Sequence, residues 1–263
     1  MIGTIHRDPQ GLVRLVQTLN GLNPHVITLE FSTYGLRYRL KNKRSLNHCL
    51  LRGLHEIHGI DGLRLDTLKE LLRTTGIGGI RALLALPFEY KGASFYSQRW
   101  DIPLYCVDIS SLSRQLLATV DELLSPENLK KVFAFETASL QETVTRREYI
   151  QAETLLLNAK QSPWRHLIPA DAVGEKRERI MASRIRRIAA HYAGRHIVHI
   201  GGWQHLAAQP GTLFSLLEDL TPKRVLLASL YPEPSKQPSL PSRGHLPLPN
   251  PHKIPTLIRA RTR

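Results

Sequence analysis

The chain has 263 residues, 42% of them hydrophobic, and a formal net charge of +14 at pH 7. That length can bury a sizeable core in one domain. No run of about eighteen uncharged apolar residues occurs, so we expect neither a signal peptide nor a membrane span and predict a cytoplasmic protein. Cys49 and Cys106 lie far apart without a CxxC motif or Cys/His cluster, which indicates two reduced core thiols rather than a disulfide or zinc site.

The positive charge should attract phosphates, anionic surfaces or acidic substrates. Basic residues are spread along the chain, with a dense stretch from Glu175 to Arg187 and a proline-rich basic tail from Pro232 to Arg263. The chain lacks the aromatic interleaving of a single-strand binder and the Cys/His framework of a zinc finger. We therefore expect no specific nucleic-acid partner.

In chain order, short apolar runs rich in β-branched residues predict strands at Ile2 to His6, His25 to Phe31, Leu104 to Ile109, His196 to Gly201 and Val225 to Leu230. Apolar residues at helical spacing predict helices at Leu12 to Leu22, Leu46 to Ile57, Leu65 to Thr74, Ile77 to Arg99, Leu112 to Leu124, Leu140 to Leu157 and Lys176 to Tyr192. Strands separated by helices predict an α/β fold with a mostly parallel central sheet flanked by helices over residues 1–231. Residues 232–263 form an extended or disordered tail in this interpretation.

Several predicted strands end on residues that can do chemistry. His6, Glu30 and Asp108 each end or follow a strand, and a glycine pair leads from another strand to His205. In an open α/β sheet the ligand site forms at the carboxyl ends of the strands. A histidine and a glutamate there could share a metal ion or form a base and its orienting partner; the alternative is a loop histidine and a solvated glutamate.

The stretch "HIVHIGGWQH" and the helix after Glu175 give weaker indications. His196 and His199 should point to opposite faces of a strand, so one or both are packing or surface residues. Arginines on the helix are expected to be mostly solvated. The "HEIH" segment is weak evidence for a metal, and no GxSxG, Walker, HExxH or dinucleotide motif is present.

Taken together, "GTIHRDP", "PHVITLEF", "PFEYKGASFYSQRWDIPLYCVDIS", "REYIQAETL", "RERIMASRI" and "HIVHIGGWQHLA" resemble, in this order, the TraB family. That family is grouped with Tiki proteases, GumN-like proteins, erythromycin esterases and ChaN-like haem-binding proteins. The resemblance covers about residues 1 to 230. It implies two paired GxxH motifs at one active site, where His6 and His205 meet. Gly3 and Gly202 open the two motifs and would contact a bound cofactor, and the other implied site residues are Glu30, Glu89, Asp108 and Arg177.

The sequence departs from the family pattern in three places. Gln204 stands before the second histidine, where glycine is common, and Glu178 replaces the usual Asp or Asn beside the arginine. Gly35 stands five residues beyond Glu30, where related proteins carry an arginine, and Arg37 lies two residues further on. Substrate handling is therefore expected to differ from the better-known branches.

The resemblance implies a metal-dependent hydrolase that cleaves a peptide or amide bond. A divalent ion of the Mn, Co or Zn class, bound by His6, Glu30 and His205, would activate water. Arg177 would stabilise the oxyanion, and Asp108 or Glu89 would orient a histidine.

Two alternatives stay open. One is a metal-free, esterase-like hydrolase with histidine as the base, and the other is a non-catalytic protein that binds haem or another anionic ligand. The expected partners are a peptide or small-molecule substrate, and the tail would suit docking across a second subunit of a homodimer.

Overall fold

The computed structural model describes residues 1–58, 76–134, 141–157 and 171–228. The strands are β1 (Ile2–Thr4), β2 (Val26–Leu29), β3 (Leu104–Cys106), β4 (Ile197–Gly202) and β5 (Val225–Leu226). The α-helices are α1 (Gly11–Leu22), α2 (Thr33–His58), α3 (Ile77–Leu84), α4 (Phe88–Trp100), α5 (Ser110–Ala118), α6 (Val120–Leu123), α7 (Pro126–Ala134), α8 (Gln141–Leu157), α9 (Ala172–His191) and α10 (Leu213–Leu216). A short 3-10 helix, Trp203–Leu206, follows β4 directly.

The strands form one parallel sheet in the order β3-β2-β4-β1-β5. β4 lies between β1 and β2, with Gly3 opposite Gly201 and Leu29 opposite Ile200. The prediction of an α/β fold with a parallel sheet flanked by helices is confirmed. Because all strands run the same way, the segments that follow β1, β2 and β4 leave the sheet side by side at one edge.

Apolar side chains cover both faces of this sheet. One cluster joins the strands to α1, α4 and α8, and the largest of its fully buried side chains include Trp203, Tyr96, Leu15 and Leu19. A second cluster joins Val26 and Val107 to α9 and α10 through Met181 and Ile185. Burying each large side chain contributes about 1.5–3 kcal/mol, which explains why the strands read as continuous apolar runs.

A third apolar cluster lies among α2, α3, α5, α6 and α7. Two of these helices begin where strands end: α2 starts four residues after β2, and α5 starts four residues after β3. The side chains of Thr33 and Ser110 hydrogen bond to each other at 3.1 Å and join the two helix starts. This helical group therefore stands over the carboxyl edge of the sheet.

Several boundaries differ from the sequence prediction. The single helix expected at Ile77 to Arg99 is two helices, because Pro87 cannot continue α3 and disfavours helical backbone at the residue before it. The helix expected at Leu112 to Leu124 is also divided in two, and α2 begins at Thr33 rather than near Leu46. The helix predicted at residues 65–74 and the proline-rich tail lie outside the described residues.

Two further expectations concern the thiols and the membrane. Cys49 and Cys106 are both free thiols; Cys106 is buried, as expected of a core thiol, whereas Cys49 is half-buried. Among the residues that the structure describes, none of the helices combines the length and the apolar character needed to cross a bilayer.

Candidate active site

Glu30 is the centre of a buried charged cluster at the carboxyl edge of the sheet. Its carboxylate oxygen Oε1 lies 2.8 Å from His205 Nε2 and accepts a 2.5 Å hydrogen bond from Arg177 Nη2. The other oxygen accepts a 2.6 Å hydrogen bond from the backbone N–H of Gly202. Burial alone would raise the pKa of Glu30, but the neighbouring cations outweigh it and hold the pKa well below its ordinary value.

His205 is held between two carboxylates. The 3-10 helix after β4 carries it, and its side chain is only 8% exposed. Its Nδ1 lies 2.5 Å from Glu178 Oε1, an ion-pair contact whose angles fall outside ordinary hydrogen-bond geometry. Burial lowers the pKa of His205, whereas Glu30 and Glu178 raise it more strongly, to about 10. The imidazole is therefore a cation at neutral pH.

His6 forms a second carboxylate–imidazole pair. Its Nδ1 lies 2.8 Å from Glu89 Oε1, and the hydroxyl of Thr4 donates to that same oxygen at 2.8 Å. Glu89 is buried in the first turn of α4. His6 is one of the residues that line a cavity, and its side chain is 56% exposed. Burial lowers its pKa, but the carboxylates of Glu89 and Glu30 together outweigh burial and raise the pKa above the ordinary value.

Gly202 lies beside both His6 and the carboxylate that contacts His205. A Cβ atom added at Gly202 would lie 3.3 Å from His6 Nε2 and 3.4 Å from Glu30 Oε2. His6 Nε2 therefore faces the carboxylate that binds His205, and glycine leaves the space between them clear. Gly3, by contrast, lies away from the charged groups: a Cβ there would meet Leu206 Cδ2 at 2.8 Å and the Trp203 backbone at 3.1 Å. Gly3 permits close packing and does not contact the site.

Arg177 joins the cluster to the end of β3. Its Nε and Nη2 donate to the two carboxylate oxygens of Asp108 at 2.8 and 2.9 Å. Burial lowers the pKa of Arg177, but its two carboxylate partners have the larger effect, so the pKa is raised above the ordinary value. Of the two carboxylates expected to orient a histidine, Glu89 contacts His6 and Asp108 binds the arginine instead.

Two polar residues near the site were not identified from sequence. Glu178 was noted only as a departure from the family pattern, although it contacts His205. His199 was expected on a surface or in packing, and it is buried with its Nδ1 3.1 Å from the hydroxyl of Thr28. Burial lowers its pKa to about 3, so it is neutral. The two-residue period of β4 places His199 on the same face as Gly201, and this signal was available in the sequence.

A metal ion bound by His6, Glu30 and His205 does not fit this arrangement. Both oxygens of Glu30 already accept from donors, and each ring nitrogen of His205 faces a carboxylate. A protonated imidazole offers no lone pair to a metal. Within the described ranges, no group of three or more His, Cys, Asp or Glu side chains is placed to hold a metal ion. The geometry therefore does not support the predicted metal ligands.

A cavity of about 710 Å³ opens onto the charged cluster. Five of the site residues line it: His6, Glu30, Glu89, Asp108 and Arg177. Much of the remaining wall is apolar and comes from the end of β2 and from α3, α5 and α7: Phe31, Ile80, Leu83, Leu116 and Val132. This is the size and mixed lining of a small-molecule site.

Comparisons with models of known protein families, with curated proteins and with solved structures found no match. The resemblance to the TraB family therefore stays a prediction. The function of the chain is inferred from the geometry of the site.

Proposed function

We propose that this protein hydrolyses an ester or amide bond without a metal, with His6 as the general base. The observation that carries the proposal is the chain of contacts from Thr4 through Glu89 to His6 Nδ1, which leaves the Nε2 of the same ring at an open cavity. A buried carboxylate that orients a histidine is an arrangement that supports general-base catalysis.

In the proposed reaction, neutral His6 accepts a proton at Nε2 from a water molecule as that water attacks the carbonyl carbon of the substrate. Glu89 stabilises the imidazolium that forms and fixes Nδ1 as the protonated nitrogen. The proton then passes from Nε2 to the leaving alkoxide or amine as the tetrahedral intermediate breaks down. The products are a carboxylic acid and an alcohol or amine.

Arg177 donates a hydrogen bond from Nη1 to the oxyanion in this proposal. Its Nε and Nη2 are used by Asp108 and Glu30, while its Nη1 makes no hydrogen bond to any described residue. The guanidinium lines the cavity, and its side chain is 24% exposed. Because Asp108 and Glu30 fix the guanidinium in advance, little reorganisation is needed when the oxyanion develops.

The test is hydrolysis of para-nitrophenyl esters and para-nitroanilides by the full-length chain and by His6→Gln and Glu89→Gln. General-base catalysis typically contributes about 10²–10⁴-fold, so we expect kcat to fall by at least about a hundredfold in His6→Gln. His48→Gln is the matched control, because His48 is an exposed histidine on α2. Equal activity of His6→Gln and wild type would eliminate the general-base role.

A chelator separates this mechanism from the metal form. We expect turnover to survive treatment with chelator and to rise with pH through a His6 pKa above the ordinary value. The rise is expected because only the neutral ring accepts a proton. Activity that is lost with chelator and restored by Mn²⁺, Co²⁺ or Zn²⁺ would instead support the metal-dependent hydrolase.

A further inference from the structure

Arg39 of α2 is a cation in the cavity without a carboxylate partner in the described parts of the chain. Its Nε donates to the carbonyl of Leu83 at 3.0 Å, and its Nη1 donates to the carbonyl of Gly35 at 3.2 Å. These two bonds fix the guanidinium but leave its charge unneutralised. Arg177, which lines the same cavity, is in contrast neutralised by two carboxylates.

The guanidinium of Arg39 packs on the ring of Phe31, in the wall of the cavity that the site residues line. Its central carbon is 5.4 Å from the centre of the Phe31 ring, and Phe31 follows Glu30 directly in the chain. Burial lowers the pKa of Arg39, which remains far above neutral pH for a guanidinium. The cavity that His6 and Glu30 line therefore also carries a permanent positive charge.

A hydroxyl lies beside this guanidinium. Ser113 lines the cavity, and a Cβ added at Gly35 would lie 3.1 Å from Arg39 Nη1 and 3.6 Å from Ser113 Oγ. The backbone N–H of Gly35 donates to Ser32 Oγ, which donates in turn to Ser113 Oγ at 2.7 Å. The hydroxyl hydrogen of Ser113 ends this chain and has no acceptor among the described residues. The hydroxyl donor of Ser113 and the cation of Arg39 thus lie together, and no carboxylate from the described residues is bound to either.

The wall next to these groups is apolar and exposed. Leu83 and Leu116 are 52% and 66% exposed, although both are large apolar side chains, and both line the cavity. Together with Ile80 and Val132 they form a surface that an apolar ligand would remove from water. A small, fully hydrated anion would leave this apolar wall in contact with water. The wall therefore favours an anion that also has an apolar part.

We propose that the substrate is an amphipathic anion, with an apolar chain or ring packed on this wall and a terminal carboxylate bound by Arg39 and Ser113. This rests on the proposed function, since it places the bond to be cleaved at His6. A carboxylate accepts two parallel hydrogen bonds from a guanidinium, and such charge-assisted bonds are about twice as strong as neutral ones. Arg39 is then the residue that selects anionic over neutral substrates.

The kinetic test uses two esters of matched length: the para-nitrophenyl hemiester of octanedioic acid, which carries a terminal carboxylate, and para-nitrophenyl octanoate, which does not. In Arg39→Gln we expect kcat/KM for the hemiester to fall by at least about tenfold, mainly through KM, and that for octanoate to change less than about twofold. Arg37→Gln is the matched control, because Arg37 is an exposed arginine two residues earlier on the same helix. Equal losses for both esters, or a hemiester loss in Arg37→Gln as large as in Arg39→Gln, would overturn the subsite.

A binding test separates the subsite from catalysis. Decanoate is titrated calorimetrically into His6→Gln, which has lost its base, and into the same protein with Arg39→Gln added. We expect the added substitution to weaken decanoate binding by at least about tenfold and to leave the binding of neutral decanamide unchanged. If decanoate binding depends on Arg39 but the wild-type chain hydrolyses none of the para-nitrophenyl esters, the proposed function is refuted and the subsite is kept. If the wild-type chain hydrolyses these esters but Arg39→Gln does not change decanoate binding, the subsite is refuted and the function is kept.

Discussion

Substitution of Glu30 by Gln tests the charged cluster directly, whatever reaction the protein performs. The amide has the same shape as the carboxylate but replaces one oxygen by an NH₂ group. Oε1 faces His205 and Arg177, and Oε2 faces the N–H of Gly202. Either orientation of the amide therefore sets a donor against a donor, and the change also removes the negative charge between two buried cations.

The expected loss of stability is large for a single-atom change. Glu30 and His205 side chains are 5% and 8% exposed, so water cannot replace the lost partner. Removing one member of a buried pair typically costs about 3–5 kcal/mol. Glu178 also stabilises the charged ring of His205 and remains in the variant, so we expect a loss at the lower end of this range, about 3–4 kcal/mol.

The assay combines urea denaturation with NMR titration of the histidine rings. In wild type the His205 ring should stay protonated well above pH 8, and in Glu30→Gln its pKa should fall towards the ordinary value. Glu153→Gln is the control, because Glu153 is exposed on α8 and such a change usually stays within about 0.5 kcal/mol. If Glu30→Gln is no less stable than this control, or if wild-type His205 titrates near 6.5, the ion-pair interpretation is wrong.

Contacts within and beside the charged cluster lead to three further predictions. The pKa of His205 is raised to about 10, so its contribution to stability is complete below pH 6.5 and is lost as the pH rises to 10. The pKa of neutral His199 is lowered to about 3, so its contribution is lost as the pH falls below 6.5. The free energy of unfolding, measured by urea denaturation across pH, should therefore have its maximum near pH 6.5. Gly202→Ala should fold but lose at least about tenfold in activity, because its Cβ would crowd the space between His6 and the carboxylate, while Gly21→Ala, with nothing within 4 Å, should keep full activity. Trp203→Phe removes the indole hydrogen bond to Glu148 and should lower the free energy of unfolding by about 1–3 kcal/mol in urea; no change would show that this bond does not hold α8 to the site.

The sequence was sufficient to predict the parallel sheet and the edge at which the candidate site residues lie. Short apolar runs separated by helical patterns gave a parallel sheet, and parallel strands bring their carboxyl ends together. That argument placed His6, Glu30 and the segment before His205 at one edge, where the structure has them. It did not predict the start of α2 at Thr33, since its first turns contain polar and basic residues on an irregular pattern and are stabilised by packing against α5 and α7.

The partners of the charged groups could not be predicted, because strand order decides them. β4 lies in the sheet between β1 and β2. This order brings His205, near the carboxyl end of the described chain, against Glu30, near its start. Sequence alone gave two histidines and a glutamate near one edge, a set that suits a metal as well as it suits an ion-pair network. Arg177 and Glu178 distinguish an ion-pair network from a metal site. Arg177 is a cation that donates to Glu30 Oε1, and Glu178 keeps His205 protonated. Because they are adjacent on α9, the side chain of Arg177 reaches the carboxylate of Glu30 and that of Glu178 reaches the imidazole of His205. These two residues from one turn of helix therefore make the set of histidines and glutamate a network of ion pairs rather than a metal site.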